Sequence, residues 1–223
     1  MTSEWHRKMT FRDRRDAAIR LAEKLQEGFD TDFSKQKPIV LAIPRGGVIT
    51  GDEIATRLGA DLDVIISKKI GAPDNPELAV GAVMHDGTFF PNVDIIDTLG
   101  IRQSYIDQRI SEKMKEIERR LERFRGNKEY NLEDRIGILV DDGIATGATV
   151  FAAINWLKTQ NLKKLIVAMP VGPADTIKKL RQVVSNVVVL YSPIVFTSVG
   201  AFYEDFSQVS DEEVVHIMTK YRD

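Results

Sequence analysis

Residues Ile138 to Val150 read ILVDDGIATGATV. An apolar run ends on two adjacent carboxylates, Asp141 and Asp142, and a loop of glycine, alanine and threonine follows. Such a run suits a strand buried on both faces, and in an open parallel sheet ligands collect at the carboxyl ends of the strands. The loop then enters a helix from Ala148, whose first N–H groups lack intrahelical partners and carry the positive end of the dipole, so an anion is favoured there. Thr146 and Thr149 add hydroxyl donors, and Gly147 lets the backbone come close. A phosphate accounts for that half of the stretch. Two carboxylates directly before it would repel the phosphate unless they meet hydroxyls or a metal. The economical ligand is a sugar phosphate, with the acids on ribose hydroxyls and the loop on the 5′-phosphate.

Other owners of such a pattern fail on particular residues. A P-loop needs GxxxxGK followed by Ser or Thr, and no lysine precedes Thr146 or Thr149. A dinucleotide fingerprint needs GxGxxG opening the first helix, which neither PRGG nor GIATGAT supplies. A receiver domain needs an aspartate at the end of a later strand, and VVVLYSP at Val187 to Pro193 has none. A helix cap alone needs one such residue rather than the whole set.

Outward from this stretch, strands and helices alternate. Ile136 to Val140 is read as a strand, Ala148 to about Thr159 as a helix, Lys164 to Met169 as a strand, Ala174 to Gln182 as a helix and Asn186 to Tyr191 as a strand. Upstream, Pro38 to Ile43 (PIVLAI) reads as a buried strand followed by PRGG and a helix that stops at Gly59. Asp63 to Ser67 reads as a second buried strand ending on Lys68 and Lys69, with a turn-rich, mobile loop from Gly71 to Glu77. Strands alternating with helices predict an α/β fold with a mostly parallel central sheet flanked by helices.

The middle of the chain departs from that rhythm. Leu78 to Pro91 carries Asp86 and Gly87 between apolar runs, the signal of a tight hairpin, and Val93 to Ile96 reads as a further short strand. From about Arg102 to Arg125, Ile106, Ile110, Met114, Ile117, Leu121 and Phe124 recur every three or four positions on a charged background, giving a long one-sided helix. That stripe is read as an intramolecular packing face, with a coiled-coil seam to a partner as the alternative. An amphipathic helix is expected over Phe11 to Gly28. No linker marks a boundary, so residues 1–223 are taken as one domain: a core over about 38–191, an inserted hairpin and long helix over about 78–126, and a C-terminal hood over about 192–223.

Of 223 residues, 43% are hydrophobic, and 31 Lys plus Arg stand against 33 Asp plus Glu, a formal charge of -2. The near balance gives no reason to expect a nucleic-acid or membrane surface, and small molecules are the expected partners. The absence of cysteine removes disulfides, thiolate nucleophiles and cysteine zinc sites. No N-terminal run resembles a signal peptide or a membrane span, and a cytoplasmic location is expected.

The acids followed by a Gly/Thr-rich loop resemble the signature of the type I phosphoribosyltransferases, matched here over Val140 to Thr149. The resemblance covers about Pro38 to Tyr191. IPRGG, KKIGAPDNPELAVGAV and VGAFYEDF are similar to a subgroup of predicted phosphoribosyltransferases. The resemblance implies transfer of a phosphoribosyl group from phosphoribosyl pyrophosphate, carried with Mg2+, to a nitrogen nucleophile, with release of pyrophosphate. It places Asp141 and Asp142 on the ribose hydroxyls as catalytic residues, with Mg2+ arriving on the substrate rather than on a direct protein site and these two acids the candidates to touch it. It wraps Ala145, Thr146, Gly147, Ala148 and Thr149 around the 5′-phosphate.

The family's pyrophosphate loop, often with a non-proline cis bond, corresponds to Pro44, Arg45, Gly46 and Gly47, with Arg45 the charged partner. Lys68 and Lys69 stand where the family contacts pyrophosphate. Alternation along a strand sends only one of them to the site, and Lys69 is favoured. Phe202 or Tyr203 would stack on a flat acceptor, and His85 beside the hairpin turn is expected at the surface. Ala145 departs from the 6-oxopurine enzymes, which commonly carry an acid there, so a hypoxanthine or guanine acceptor is disfavoured. A non-catalytic nucleotide or phosphoribosyl-pyrophosphate sensor on the same fold is the second reading. Retention of Arg45-Gly46-Gly47 and of the lysine loop favours catalysis. A homo-oligomer stays open.

Overall fold

The computed structural model describes residues 10–29, 36, 38–126 and 129–222; residues 1–9, where a leader segment would stand, lie outside that set. In chain order the strands are β1 (Ile39–Ala42), β2 (Asp61–Val64), β3 (Ser67–Gly71), β4 (Ala79–Met84), β5 (Phe89–Pro91), β6 (Ile136–Val140), β7 (Lys164–Val171) and β8 (Asn186–Tyr191). The helices are α1 (Arg14–Gly28), α2 (Gly46–Leu58), α3 (Val93–Leu99), α4 (Gln103–Phe124), α5 (Ala148–Leu157), α6 (Ala174–Val183) and α7 (Asp211–Met218).

Five strands form a wholly parallel sheet in the order β2-β1-β6-β7-β8, so the α/β expectation holds. Every residue of β1 and β6 is buried, which is why both read as unbroken apolar runs. Their alternate residues divide between two cores. Val40, Ala42, Ile138 and Val140 meet Leu21 and Leu25 of α1 and Ile54 of α2, while Leu41, Leu139 and Val167 meet Ile154 of α5 and Leu180 of α6. Each such aliphatic side chain contributes roughly 1.5–3 kcal/mol on full burial. From β1 the chain passes through α2 to β2 on one side, while β6, β7 and β8 extend the other way. The carboxyl ends of β1 and β6 therefore flank the point where strand order reverses, the usual crevice of an open α/β sheet.

Three expectations change. The predicted strand Asp63 to Ser67 is divided: β2 ends at Val64, and β3 joins β4 and β5 in a separate antiparallel sheet of order β3-β4-β5. The ladder on β1 runs out because Ile65 donates to Ala42, after which β1 turns into the PRGG loop and offers no further backbone. Val93 to Ile96 is helical, the opening of α3, which stops at Gly100 in a left-handed conformation (φ +59°). Three apolar residues within four positions, Val93, Ile95 and Ile96 around Asp94, do not distinguish strand from helix, and the segment contributes no fully buried residue. His85 is half-buried rather than a surface residue, its ring 4.5 Å from that of Trp156 and 4.6 Å from that of Tyr130.

The apolar stripe of α4 is covered within the chain: Ile106, Ile117, Leu121 and Phe124 are buried, and Ile110 and Met114 pack on the same core. The helix lies against β3, and the face of the hairpin sheet away from it lies against α5. The elaboration in the middle of the chain thus stands beside the carboxyl-end crevice. Among the described residues no helix is long and apolar enough to cross a membrane.

Candidate functional site at the carboxyl ends of β1 and β6

Asp141 and Asp142 leave β6 with their backbone already engaged. The Asp142 N–H donates to Asp141 Oδ1 at 2.8 Å, and the Tyr203 hydroxyl donates to the Asp142 carbonyl at 2.5 Å. Asp142 Oδ2 accepts from Arg14 Nε at 2.7 Å. Burial, and then the charge of Asp142, push the Asp141 carboxyl well above the usual carboxylate range, opposed by its backbone hydrogen bond and by Arg14. Burial and the same aspartate raise the Tyr203 hydroxyl, which therefore stays protonated as a donor.

The loop after β1 closes directly onto these acids. Its Pro44–Arg45 peptide is cis, as the resemblance implied. A Cβ on Gly46 would fall 1.8 Å from Asp142 Oδ2, and one on Gly47 would fall 3.0 Å from the Asp141 Cα. Only glycine permits this approach. The N-terminus of α2 at Arg45 has no side-chain cap, so its leading N–H groups are left to the crevice. Arg45 lies on the rim, its Nη1 3.5 Å from Asp211 at the start of α7, and Asp211 also meets Arg123 of α4 at 3.2 Å.

The loop after the acids has a second uncapped helix end. Gly147 is the N-cap of α5 at φ +81°, with no side-chain cap hydrogen bond, and a Cβ there would meet the Phe151 ring at 2.7 Å. The base of the loop is fixed by Ile144 N–H donating to the Val171 carbonyl at 2.9 Å and by the Thr176 hydroxyl donating to the Ala145 carbonyl at 2.8 Å. Ala145 and Thr146 are exposed above it and Thr149 is half-buried. Held below and open above, the loop leaves the start of α5 without a side-chain cap, an arrangement chemically able to receive an anion.

The model of the phosphoribosyl transferase domain family matches residues 11–205. The chain belongs to the phosphoribosyltransferase family. A Mycobacterium tuberculosis relative named for the same transferase, present in two strains, is 39% identical over 211 residues, which is 94% of this chain and 46% of that protein. The chain thus spans less than half the length of these relatives. TT1426 from Thermus thermophilus, a solved structure, is 37% identical with a TM-score of 0.79, covering 96% of this chain and 100% of that one.

The two lysines part company as strand alternation requires. Lys68 pairs across the ladder with Val83, on the α4 side, and its Nζ lies 3.0 Å from Glu116. Lys113 first, and Lys68 after it, hold the Glu116 carboxyl down to about 2. Lys69 pairs with Ala82, whose side chain belongs to the core beneath α5, and its Nζ lies 3.1 Å from Glu77. Residues 71–77, expected to be a mobile loop, close on themselves by Ala72 donating to Leu78 and Leu78 to Asn75.

Phe202 and Tyr203 do not present open faces to an acceptor. They are 3% and 7% exposed, among the rings of Phe11, Tyr191, Phe196 and Phe206, and Tyr203 acts through its hydroxyl on Asp142. Sequence reasoning missed Arg14 and Asp211. Arg14 does carry a signal, because it stands one turn before Ala18 and two before Leu21, on the apolar side of α1. Asp211 looks like an ordinary acid in a helix's first turn.

Among the described residues no group of three or more His, Asp or Glu side chains is disposed to hold a metal. Two carboxylates, one already ion-paired, fit a Mg2+ that takes most of its oxygens from water and phosphates.

Proposed function

We propose that the protein transfers the 5-phosphoribosyl group of phosphoribosyl pyrophosphate to a small nitrogenous acceptor and releases pyrophosphate. The observation that carries this reading is the packing of Gly46 and Gly47 onto Asp142 and Asp141, beside the uncapped start of α5. A pyrophosphate loop, a diol-binding acid pair and a phosphate cradle then meet at one crevice, in the order in which the donor carries those groups.

In this reading the N–H groups and hydroxyls of residues 145–149 hold the 5′-phosphate, and Asp141 and Asp142 accept the ribose hydroxyls. Gly46 and Gly47 offer backbone donors to the pyrophosphate, with Arg45 and Lys69 as its cations and Lys68 behind them on the other face of β3. The bond from the anomeric carbon to the pyrophosphate oxygen breaks, positive charge develops on the ribose, and the fixed acids stabilise it as preorganised groups. An acceptor nitrogen forms the new bond and gives up its proton, and the leaving group departs as pyrophosphate. Mg2+ would arrive on the donor's phosphates, with Asp141 and Asp142 the residues nearest to hold it, and would supply neutralising charge to the leaving group.

Ala145 brings no acid or base to the acceptor, and its carbonyl is occupied by Thr176. An acceptor whose proton leaves to water, or to a hood residue, suits the site better than a 6-oxopurine.

The test is pyrophosphate release from donor and Mg2+ across purines, pyrimidines and small amines. No acceptor-dependent release by the folded protein would remove the transferase reading. It would favour a non-catalytic sensor of the donor or of a nucleotide, which one observation supports: Arg45, Lys68 and Lys69 are each paired with a protein carboxylate, Asp211, Glu116 and Glu77.

A further inference from the structure

A guanidinium occupies a place where α1 is otherwise apolar. The buried side of the helix carries Ala18, Leu21, Ala22 and Leu25, and Arg14 continues it at 9% exposure. A buried cation is tolerated only when its charge and its donors are matched. Here both are: Nε donates to Asp142 Oδ2 at 2.7 Å, Nη1 donates to the Ser207 carbonyl at 2.8 Å, and the guanidinium lies 3.8 Å from the centre of the Phe206 ring. The next residue provides a contrast. Arg15 is half exposed and reaches Asp52 and Glu53 only at 4.0 and 3.7 Å, with no hydrogen bond at either distance.

The Asp142 side chain is as enclosed as its partner, at 14% against 11% exposure. Its Oδ2 lies between Arg14 and Gly46, and a Cβ on Gly46 would also meet Arg14 Nε at 2.9 Å. One contact therefore joins α1, the loop after β6 and the loop after β1. Without the guanidinium, Asp142 would be a half-buried carboxylate that has lost its close cation. It would turn toward solvent, and that change removes a fixed charged acceptor from the ribose subsite.

We infer that Arg14 is a positioning residue for donor binding: it holds the Asp142 carboxylate against Gly46 and so fixes the ribose-binding acid relative to the pyrophosphate loop. This rests on the phosphoribosyl reading of the crevice. Arg14 acts through Asp142, so it affects ligands that carry the ribose more than ligands that engage the phosphate loops alone.

Calorimetric titration of the full chain separates the two. The ligands are phosphoribosyl pyrophosphate with Mg2+ and, as a probe without ribose, pyrophosphate with Mg2+; the proteins are wild type, Arg14→Gln, Arg14→Lys and Arg15→Gln. Arg14→Gln should weaken donor binding about tenfold or more and leave pyrophosphate binding within about twofold. Arg14→Lys should recover most of the loss by restoring the charge without the planar fork, and Arg15→Gln should match wild type. If wild type and folded Arg14→Gln bind the donor equally, or lose donor and pyrophosphate in equal measure, the positioning role is overturned while the phosphoribosyl reading stands. If wild type binds no donor, that reading falls and takes this inference with it. Should Arg14→Gln fail to fold, Arg14→Lys is read by the same ratio: weakening confined to the donor supports the role, and equal weakening overturns it.

Discussion

Gly46 and Asp142 stand so close that a methyl group on the glycine would lie 1.8 Å from the acid's Oδ2. The acid has no easy retreat, since Arg14 holds its side chain and Tyr203 its carbonyl. Gly46→Ala should therefore cost about 1–3 kcal/mol of stability through overpacking and weaken donor binding by about tenfold or more. Gly28→Ala, at a position with no atom within 4 Å of the added carbon, is the control and should alter stability by no more than about 1 kcal/mol. Denaturant unfolding and calorimetry read both. Unchanged donor affinity in Gly46→Ala would mean that the two loops do not share a ligand.

Asp141 should show the opposite balance of stability and activity. Its carboxyl is buried beside Asp142 and pushed up accordingly, so the neutral amide of Asp141→Asn removes a charge that the fold disfavours. The variant should melt at the same temperature as wild type or higher, while acceptor-dependent pyrophosphate release drops on the order of 100-fold, as expected for a preorganised charged group. Activity within tenfold of wild type would contradict the role assigned to the pair.

The lysines give a ranking. Lys69 pairs with Ala82 of β4 on the face of the hairpin sheet toward α5, whereas Lys68 is tied to Glu116 of α4. Lys69→Ala should lower kcat/KM at least about tenfold, equivalent to about 1.4 kcal/mol of transition-state stabilisation. Lys68→Ala should mainly affect melting, by less than about 1 kcal/mol for a partly exposed pair. Steady-state kinetics that reverse this order would exchange their roles.

Acid sensitivity should trace to His85. Burial between Tyr130 and Trp156 lowers its proton affinity, Arg125 adds to the effect, and Asp86 and Asp63 oppose it. A lowered folded value means that the unfolded chain binds the extra proton, so stability is full above about pH 6.5 and falls as pH drops through that value. Between about pH 7.5 and about pH 5 the wild-type melting temperature should fall more than that of His85→Gln. Parallel melting curves would show that the imidazole titrates without consequence.

Legibility in the sequence followed how locally each feature is encoded. ILVDDGIATGATV holds a strand, two acids and a helix start in thirteen consecutive residues, and Pro44 to Gly47 holds the opposing loop, so both could be read directly. Which of Lys68 and Lys69 lies toward α5 and which toward α4 needed the ladder to β4, invisible without a register. Val93 to Ile96 misled because three apolar residues within four positions carry no period. Arg14 was the largest omission: its partner is 128 residues away, and one arginine on a helix face is an ordinary sight until its neighbours are known. His85 looked solvated for the same reason, since Tyr130 and Trp156 reach it from distant segments.

The anchoring of Asp142 also bears on the order in which the protein acquires its site. The β6 strand and its acids can form with the parallel sheet, but the side chain is fixed only when Arg14 and Ser207 have come together, and the carbonyl only when Tyr203 has packed. Contacts of such long sequence separation form against a large loop-closure entropy and tend to be made late. Donor binding followed during refolding should then appear after the bulk of the secondary structure, making the ligand a reporter of the final docking of α1 and the C-terminal segment.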